Sequence, residues 1–129
     1  MAVGPKPLEG TNVLVVEDDY LIATELCLLL RSLGAGVVGP VASLPPESPV
    51  AGKAVDVALL DVKLGSCTSF GLADDMVRRG IPVALITGHA PRMLPPPYRT
   101  LRRLDKPIER GELITTILGL TGQTEHDAA

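Results

Sequence analysis

Acidic residues directly follow two apolar runs of this sequence. In VLVVEDDYLI, residues 13–22, four apolar residues lead into the acids EDD at 17–19. A second run, VALLDV at 57–62, contains the acid Asp61 near its end. Two carboxylates about 4 Å apart repel by roughly 4 kcal/mol at an effective dielectric near 20. If the two runs are neighbouring strands, a cation has to offset their acids.

Other polar residues follow the later apolar runs. Thr87 and Gly88 end one of them, and Lys106 follows the last. Clustered carboxylates without nearby His or Cys suit Mg²⁺. Lys106 adds a point charge suited to phosphate, Thr87 adds a hydroxyl donor, and Gly88 lets the backbone approach closely. These are the parts of a phosphoryl-transfer site. The alternative is that EDD only caps the following helix, where acids complement the helix dipole.

The elements that would position these residues alternate along the chain. Four largely apolar runs predict strands: NVLVV (12–16), VVGPVA (37–42), DVALLDV (56–62) and IPVALIT (81–87). The more polar LRRLD (101–105) is the fifth predicted strand. Strands alternating with helices predict an α/β fold with a parallel sheet covered on both faces. The carboxyl ends of such strands meet at one edge, where ligands bind. The residues expected there are Glu17, Asp18, Asp61, Thr87 and Lys106.

Helices are predicted between some of these strands. Apolar residues recur at helical spacing from Ile22 to Leu33, and Gly34 follows as a stop signal. SFGLADDMVRRG (69–80) and ERGELITTILGL (109–120) also read as helices. Prolines argue against regular helix in SLPPESPVAGK (43–53) and GHAPRMLPPPYRT (88–100). Pro40, inside the second strand, indicates a sheet edge.

Length and charge limit the function classes. The chain has 129 residues, which predicts one domain at 11–121, an N-terminal extension at 1–10 and a disordered tail at 122–129. A net charge of −3 gives no whole-molecule attraction to nucleic acid or anionic membrane. MAVGPKPLEG lacks the apolar core of a signal peptide, so we expect a cytoplasmic protein.

The ordered motifs VLVVEDD, ALLDVKLG, ALITG and LDKPIE resemble the receiver domain of two-component response regulators over nearly the whole chain. The resemblance implies a flavodoxin-like, doubly wound sheet of five parallel strands in the order 2-1-3-4-5. It implies that Asp61 accepts a phosphoryl group from a histidine kinase or histidine phosphotransfer protein. The implied Mg²⁺ ligands are Glu17, Asp18, Asp61 and the Lys63 carbonyl. The implied phosphate-binding residues are Thr87, Gly88 and Lys106, with Pro107 as a cis or positioning proline.

Two features set the chain apart from typical receivers. Thr87-Gly88, followed by a degenerate fourth helix, resembles the single-domain regulators called FAT GUY. Arg103 stands where typical receivers carry the aromatic residue that swings inward on activation. Lys63 and His89 occupy positions that tune the lifetime of the acyl phosphate in the family, or are solvated loop residues.

Two surfaces are candidates for partners. Leu21 and Leu28 lie one heptad apart on the first predicted helix, off its main core stripe. They form either a docking surface for the kinase helices or peripheral core. Residues 92–110 carry six basic groups and two acidic ones, which fits an acidic downstream protein or a solvated face.

The sequence therefore predicts a stand-alone, Mg²⁺-dependent phosphoacceptor that slowly loses its phosphoryl group by self-catalysed hydrolysis. We do not expect a dedicated metabolic enzyme. One alternative is a binding-only pseudo-receiver. A less favoured one is a haloacid-dehalogenase-like hydrolase. Such enzymes carry their nucleophile in a D-x-D motif after the first strand and their acid pair later, whereas this chain has the acid pair first and Asp61 later. A small-molecule phosphodonor would distinguish the three.

Overall fold

The computed structural model describes residues 6–43, 54–88 and 94–122. In chain order the elements are β1 (Asn12–Val16), α1 (Tyr20–Ser32), β2 (Gly36–Val41), β3 (Val57–Asp61), β4 (Lys63–Leu64), β5 (Cys67–Thr68), α2 (Phe70–Arg78), β6 (Val83–Thr87), a 3-10 turn (Pro96–Tyr98), β7 (Arg102–Asp105) and α3 (Arg110–Thr121). Within these residues no helix combines the length and the apolar character that crossing a bilayer requires.

Five strands form one parallel sheet in the order β2-β1-β3-β6-β7. Since β6 and β7 are the fourth and fifth predicted strands, the predicted order 2-1-3-4-5 is confirmed. Every residue of β3 and β6 is buried, which explains why both read as continuous apolar runs. Pro40 lies in β2, at the predicted sheet edge, where its missing N–H costs no ladder bond.

The core has two parts, one on each face of the sheet. Side chains alternate along β1, so Val13 and Val15 pack on one face and Leu14 and Val16 on the other. The Val13 face carries the buried residues of α1 and α3: Leu26, Cys27, Leu30, Leu113, Ile117 and Leu118. The Leu14 face carries those of α2: Ala73 and Met76. The fold is therefore the predicted α/β arrangement with both faces covered.

The first helix starts at Asp19, the last acid of the EDD motif. The Asp19 carboxylate accepts a hydrogen bond from the Ile22 N–H at 3.0 Å and caps α1. The helix ends before Gly34, whose φ of 96° favours glycine. Asp19 thus plays the helix-capping role that we considered for the whole EDD motif, which leaves Glu17 and Asp18 for another role.

The structure adds a hairpin that the sequence did not predict. Strands β4 and β5 pair antiparallel directly after β3, with Lys63 opposite Thr68 and Leu64 opposite Cys67. The hairpin is anchored to the sheet edge, because the Ser69 N–H donates to the Val62 carbonyl at 3.0 Å. Strands of two residues show no hydrophobic periodicity, so the apolar pattern of the sequence does not reveal them.

The proline-rich segment after β6 contains only a 3-10 turn among its described residues, as predicted; residues 89–93 lie outside the description. Tyr98, in this turn, stacks on Phe70 with ring centroids 4.2 Å apart. Its hydroxyl donates to Asp74 at 3.1 Å. The turn is therefore attached to α2. Most of the other proline-rich segment, residues 44–53, also lies outside the described residues.

The segment before β1 packs against the domain. Leu8 is fully buried in the core, and its N–H donates to the Leu33 carbonyl at 2.9 Å. The segment also approaches Gly34 closely, since an added Cβ there would lie 3.0 Å from the Glu9 nitrogen. Part of the predicted N-terminal extension therefore contributes to the core, although the domain boundaries themselves stay a prediction.

Leu8→Ala should lower the free energy of unfolding by about 2–4 kcal/mol, because it removes a fully buried side chain and leaves a cavity. Urea unfolding followed by circular dichroism measures the change. The exposed neighbour Glu9 gives the matched control, and Glu9→Ala should change stability by less than about 0.5 kcal/mol. Equal stability of the two variants would show that this segment does not belong to the folded unit.

Candidate functional site

Four neighbouring strands deliver polar residues to one edge of the sheet. Glu17 and Asp18 follow β1, and Asp61 ends β3, the adjacent strand. One carboxylate oxygen from each of these three residues lies within 4.8 Å of the others. The cavity that they line has a volume of about 290 Å³, and its other lining residues include Lys63, Gly65, Thr87, Gly88 and Lys106. The predicted convergence at the carboxyl ends of the strands is thus present.

Lys106 supplies positive charge to this cluster. Its Nζ lies 3.0 Å from Glu17 Oε1 and 3.4 Å from Asp61 Oδ2. Burial lowers the pKa of Lys106, but the hydrogen bonds and charges of Glu17 and Asp61 outweigh burial and raise the pKa above its ordinary value. The lysine is therefore an ammonium ion at neutral pH, and its one charge faces three carboxylates.

Glu17 is the most enclosed of the three acids. Its Oε2 accepts a hydrogen bond from the Asp19 N–H at 3.1 Å. Its Oε1 is buried, and its contact among the described residues is the 3.0 Å ion pair with Lys106, a lysine that also serves Asp61. Burial, together with Asp61, raises the pKa of Glu17 from 4.5 to about 7, against the opposing effects of Asp19 and Lys106. The site thus contains a buried acid that lacks full compensation.

These residues fit a divalent cation. A buried carboxylate oxygen that is compensated only in part is costly in the folded protein. Two more carboxylates lie beside it, and Lys106 balances only part of their charge. A donor set made of oxygen atoms alone suits Mg²⁺ better than a transition metal.

The other two strand ends are connected through the backbone. Thr87 is buried at the end of β6, and its carbonyl accepts a hydrogen bond from the Lys106 N–H at 3.1 Å. Gly88, which follows it, is exposed on the cavity rim. The peptide bond between Lys106 and Pro107 is cis. The hydroxyl-bearing residue and the lysine are therefore held at adjacent positions of the same edge.

The hairpin forms one wall of the cavity. Lys63 is exposed in β4, at the cavity rim. The N–H of Gly65, in the hairpin turn, donates to Asp18 Oδ2 at 2.9 Å. Sequence reasoning missed this contact, although the pair Gly65-Ser66 between LysLeu and CysThr is a two-residue turn signal that could have indicated a hairpin.

Several predicted residues lie away from the acidic cluster. Arg103, at the position of the usual switch aromatic, pairs with Asp105 through Nε and Oδ1 at 3.0 Å. Leu21 and Leu28 are 64% and 60% exposed on α1, so they are surface residues. His89 lies outside the described residues.

The buried carboxyl of Glu17 makes stability depend on pH. An acid whose pKa rises from 4.5 in the unfolded chain to about 7 in the folded protein destabilises the fold as pH increases. The destabilisation begins above pH 4.5 and is complete once pH exceeds 7. Glu17→Gln should therefore raise the Tm of the metal-free protein at pH 8 by about 3–6 °C, with little change at pH 5.

Thermal unfolding in EDTA at the two pH values measures this effect. Glu25→Gln, which changes an exposed acid of α1, is the matched control and should give the same Tm difference at both pH values. An equal effect of Glu17→Gln at pH 5 and pH 8 would contradict the assignment.

Comparisons with known proteins agree with this geometry. No protein-family model and no curated protein sequence matches the chain. The solved structures do provide matches. SdrG from Sphingomonas melonis Fr1 is 30% identical, with a TM-score of 0.75 over 88% of this chain and 97% of that one.

Two further solved structures are similar to the chain over most of its length. The response regulator REC domain of PhyR from Erythrobacter litoralis is 29% identical, with a TM-score of 0.74 over 87% of this chain and 90% of that one. The signal receiver domain of a modulated diguanylate cyclase from Desulfovibrio desulfuricans G20 is 26% identical, with a TM-score of 0.76 over 86% of this chain and 93% of that one. Together with the strand order, these similarities show that the chain belongs to the receiver domains of response regulators.

Proposed function

We propose that this receiver accepts a phosphoryl group on Asp61 from a histidine kinase or a histidine phosphotransfer protein, with Mg²⁺ as its cofactor. The observation that supports the proposal best is the position of Asp61. It ends a fully buried central strand, beside the carboxylates of Glu17 and Asp18 and 3.4 Å from the Lys106 ammonium. Its side chain is 9% exposed and lines the cavity, which gives a donor a route to it.

The proposed reaction is a displacement at phosphorus. An oxygen of Asp61 attacks the phosphorus of a phosphohistidine and forms a P–O bond while the P–N bond breaks. The imidazole nitrogen keeps the electron pair of the broken bond. The Lys106 ammonium offsets negative charge on the transferred phosphoryl oxygens, and the Thr87 hydroxyl donates a hydrogen bond to them.

Mg²⁺, when bound, neutralises charge on the transferred group. The residues proposed to hold it are Glu17, Asp18, Asp61 and the backbone carbonyl of Lys63. The buried Oε1 of Glu17, which Lys106 compensates only in part, and the three adjacent carboxylates support this assignment. Gly88, at the cavity rim, leaves the backbone accessible to the phosphoryl group.

Loss of the phosphoryl group is part of the proposal. Asp61 phosphate is expected to hydrolyse slowly, with Lys63 and His89 as the residues that tune the rate. Lys63 is exposed on the rim of the cavity, where its side chain can affect the approach of water. A cytoplasmic location is also part of the proposal, because the proposed phosphoryl donors are those of two-component signalling.

The proposed kinase-docking surface is the exposed apolar face of α1. Tyr20, Leu21 and Leu28 are 83%, 64% and 60% exposed. Large apolar side chains that remain in water on one helix face are typical of interaction surfaces. Helix α1 begins directly after the loop that carries Glu17 and Asp18. A donor bound to this face therefore lies close to the site.

We also propose an acidic downstream partner that binds the basic segment 92–110. Fewer basic groups of this segment are available for it than the sequence suggested. Lys106 is engaged in the acidic site, and Arg103 is paired with Asp105. Arg92 lies outside the described residues. The proposed surface therefore rests on Arg99, Arg102 and Arg110, which are exposed. Arg99 also donates to the Leu94 carbonyl and Arg102 to the Thr116 hydroxyl.

Asp61→Asn should reduce phosphorylation to background, because the amide lacks the nucleophilic oxygen. Incubation with a small-molecule phosphodonor and Mg²⁺, followed by intact-protein mass spectrometry, measures the labelling. Asp56→Asn is the matched control, since it changes an exposed acid just before the opposite end of the same strand and should leave labelling unchanged.

The labelling pattern separates the alternatives. One phosphoryl group per chain that persists and depends on Asp61 supports the receiver. Rapid turnover of the donor without accumulation indicates a hydrolase, and absence of labelling in the wild type indicates a binding-only domain. Full labelling of Asp61→Asn would place the acceptor elsewhere.

Lys106→Met should bind Mg²⁺ about threefold to tenfold more tightly than the wild type, because it removes a cation that lies 3.0 Å from one proposed ligand and 3.4 Å from another. Titration calorimetry at pH 8 measures the affinity. Lys63→Met, which removes an exposed lysine from the same cavity rim, should change it by less than about twofold. Weaker Mg²⁺ binding by Lys106→Met would show that the lysine does not compete with the metal.

A further inference from the structure

Asp18 differs from the other two acids in how it is held. Glu17 and Asp61 are buried, whereas Asp18 is exposed on the loop after β1. Packing therefore does not fix its carboxylate. The contact that does is the hydrogen bond from the Gly65 N–H to Asp18 Oδ2, at 2.9 Å. The two residues are 47 positions apart, so this bond joins the loop after β1 to the hairpin after β3.

The hairpin makes the Gly65 N–H available. Leu64 pairs with Cys67, which leaves Gly65 and Ser66 as a two-residue turn. Gly65 has a φ of 61°, and Ser66 does not have a positive φ. This pattern matches a type II′ turn, which places glycine at the first central position. The central N–H groups of such a turn lie outside the strand ladder, so that of Gly65 can donate elsewhere.

We propose that Gly65 is a positioning residue for the metal site. Its N–H fixes one oxygen of Asp18 and thereby orients the other oxygen for Mg²⁺. The inference rests on the proposed function, because it concerns the same site. Groups that hydrogen-bond to metal ligands orient those ligands, and their loss weakens metal affinity.

Glycine is favoured here by conformation and not by space. An added Cβ at Gly65 would meet no atom within 4 Å, but a φ of 61° is one that most L residues rarely adopt. Replacement by alanine therefore shifts the turn away from this φ and moves the N–H from Asp18.

Gly80 provides a matched control. It has a φ of 75°, and an added Cβ would also meet nothing within 4 Å, but it lies after α2 and outside the cavity. Gly65→Ala and Gly80→Ala thus each place a Cβ at a positive φ, one at a site-facing and one at a remote position. Thermal unfolding in EDTA identifies any variant that fails to fold.

Titration calorimetry with Mg²⁺ at pH 8 tests the proposal without use of phosphorylation. We expect Gly65→Ala to bind Mg²⁺ about tenfold more weakly, whereas Gly80→Ala should stay within about twofold of the wild type. In an Asp18→Ala background, Gly65→Ala should cause no further loss, because the positioned oxygen is gone. In the metal-free protein, the Gly65 amide proton resonance should move upfield in Asp18→Ala.

The outcomes separate this inference from the proposed function. If the wild type binds Mg²⁺ and is phosphorylated on Asp61 while Gly65→Ala matches Gly80→Ala in affinity, the positioning role is wrong and the function stands. An equal loss of affinity from Gly65→Ala with and without the Asp18 carboxylate also overturns the role. A wild type that binds no Mg²⁺ and accepts no phosphoryl group overturns both.

Discussion

The structure depends on how three carboxylates are tolerated at the edge of a sheet that is buried on both faces. Adjacent strands β1 and β3 bring Glu17, Asp18 and Asp61 together, and two of the three acids are removed from water. Repulsion and desolvation both oppose this arrangement. Lys106 offsets part of the charge, and the raised pKa of Glu17 shows that the compensation is incomplete. The edge is therefore suited to a further cation.

Sequence reasoning located this edge because a parallel sheet turns chain order into spatial proximity. Once five runs were assigned as strands, the residues at their carboxyl ends had to meet, whatever the side-chain details. Glu17, Asp61, Thr87 and Lys106 all lie where that rule places them. Pro40 marked the sheet edge by the same kind of backbone argument. Strand order and strand ends were thus predictable from backbone constraints.

The roles within the EDD motif were not predictable, because they depend on contacts far apart in sequence. Asp19 caps α1, Asp18 binds the hairpin turn, and the buried Glu17 faces Lys106. Three adjacent acids of similar chemistry give no local pattern that separates these roles. The two-residue strands of the hairpin and the single buried Leu8 were missed for a related reason, since periodicity requires longer segments.

The contacts of Arg103 and Tyr98 concern the two chain segments that follow β6. Arg103 is a cation paired with Asp105 on its own strand, and burying it in an apolar pocket would cost far more than burying an aromatic ring. Tyr98 instead ties the turn downstream of Thr87 to α2, through Phe70 and Asp74. Phe70 directly follows the hairpin that holds Asp18. The Tyr98–Phe70 contact therefore joins the segment after β6 to helix α2, which follows the hairpin. On β7, the position at which typical receivers carry an aromatic residue is occupied by the charged Arg103.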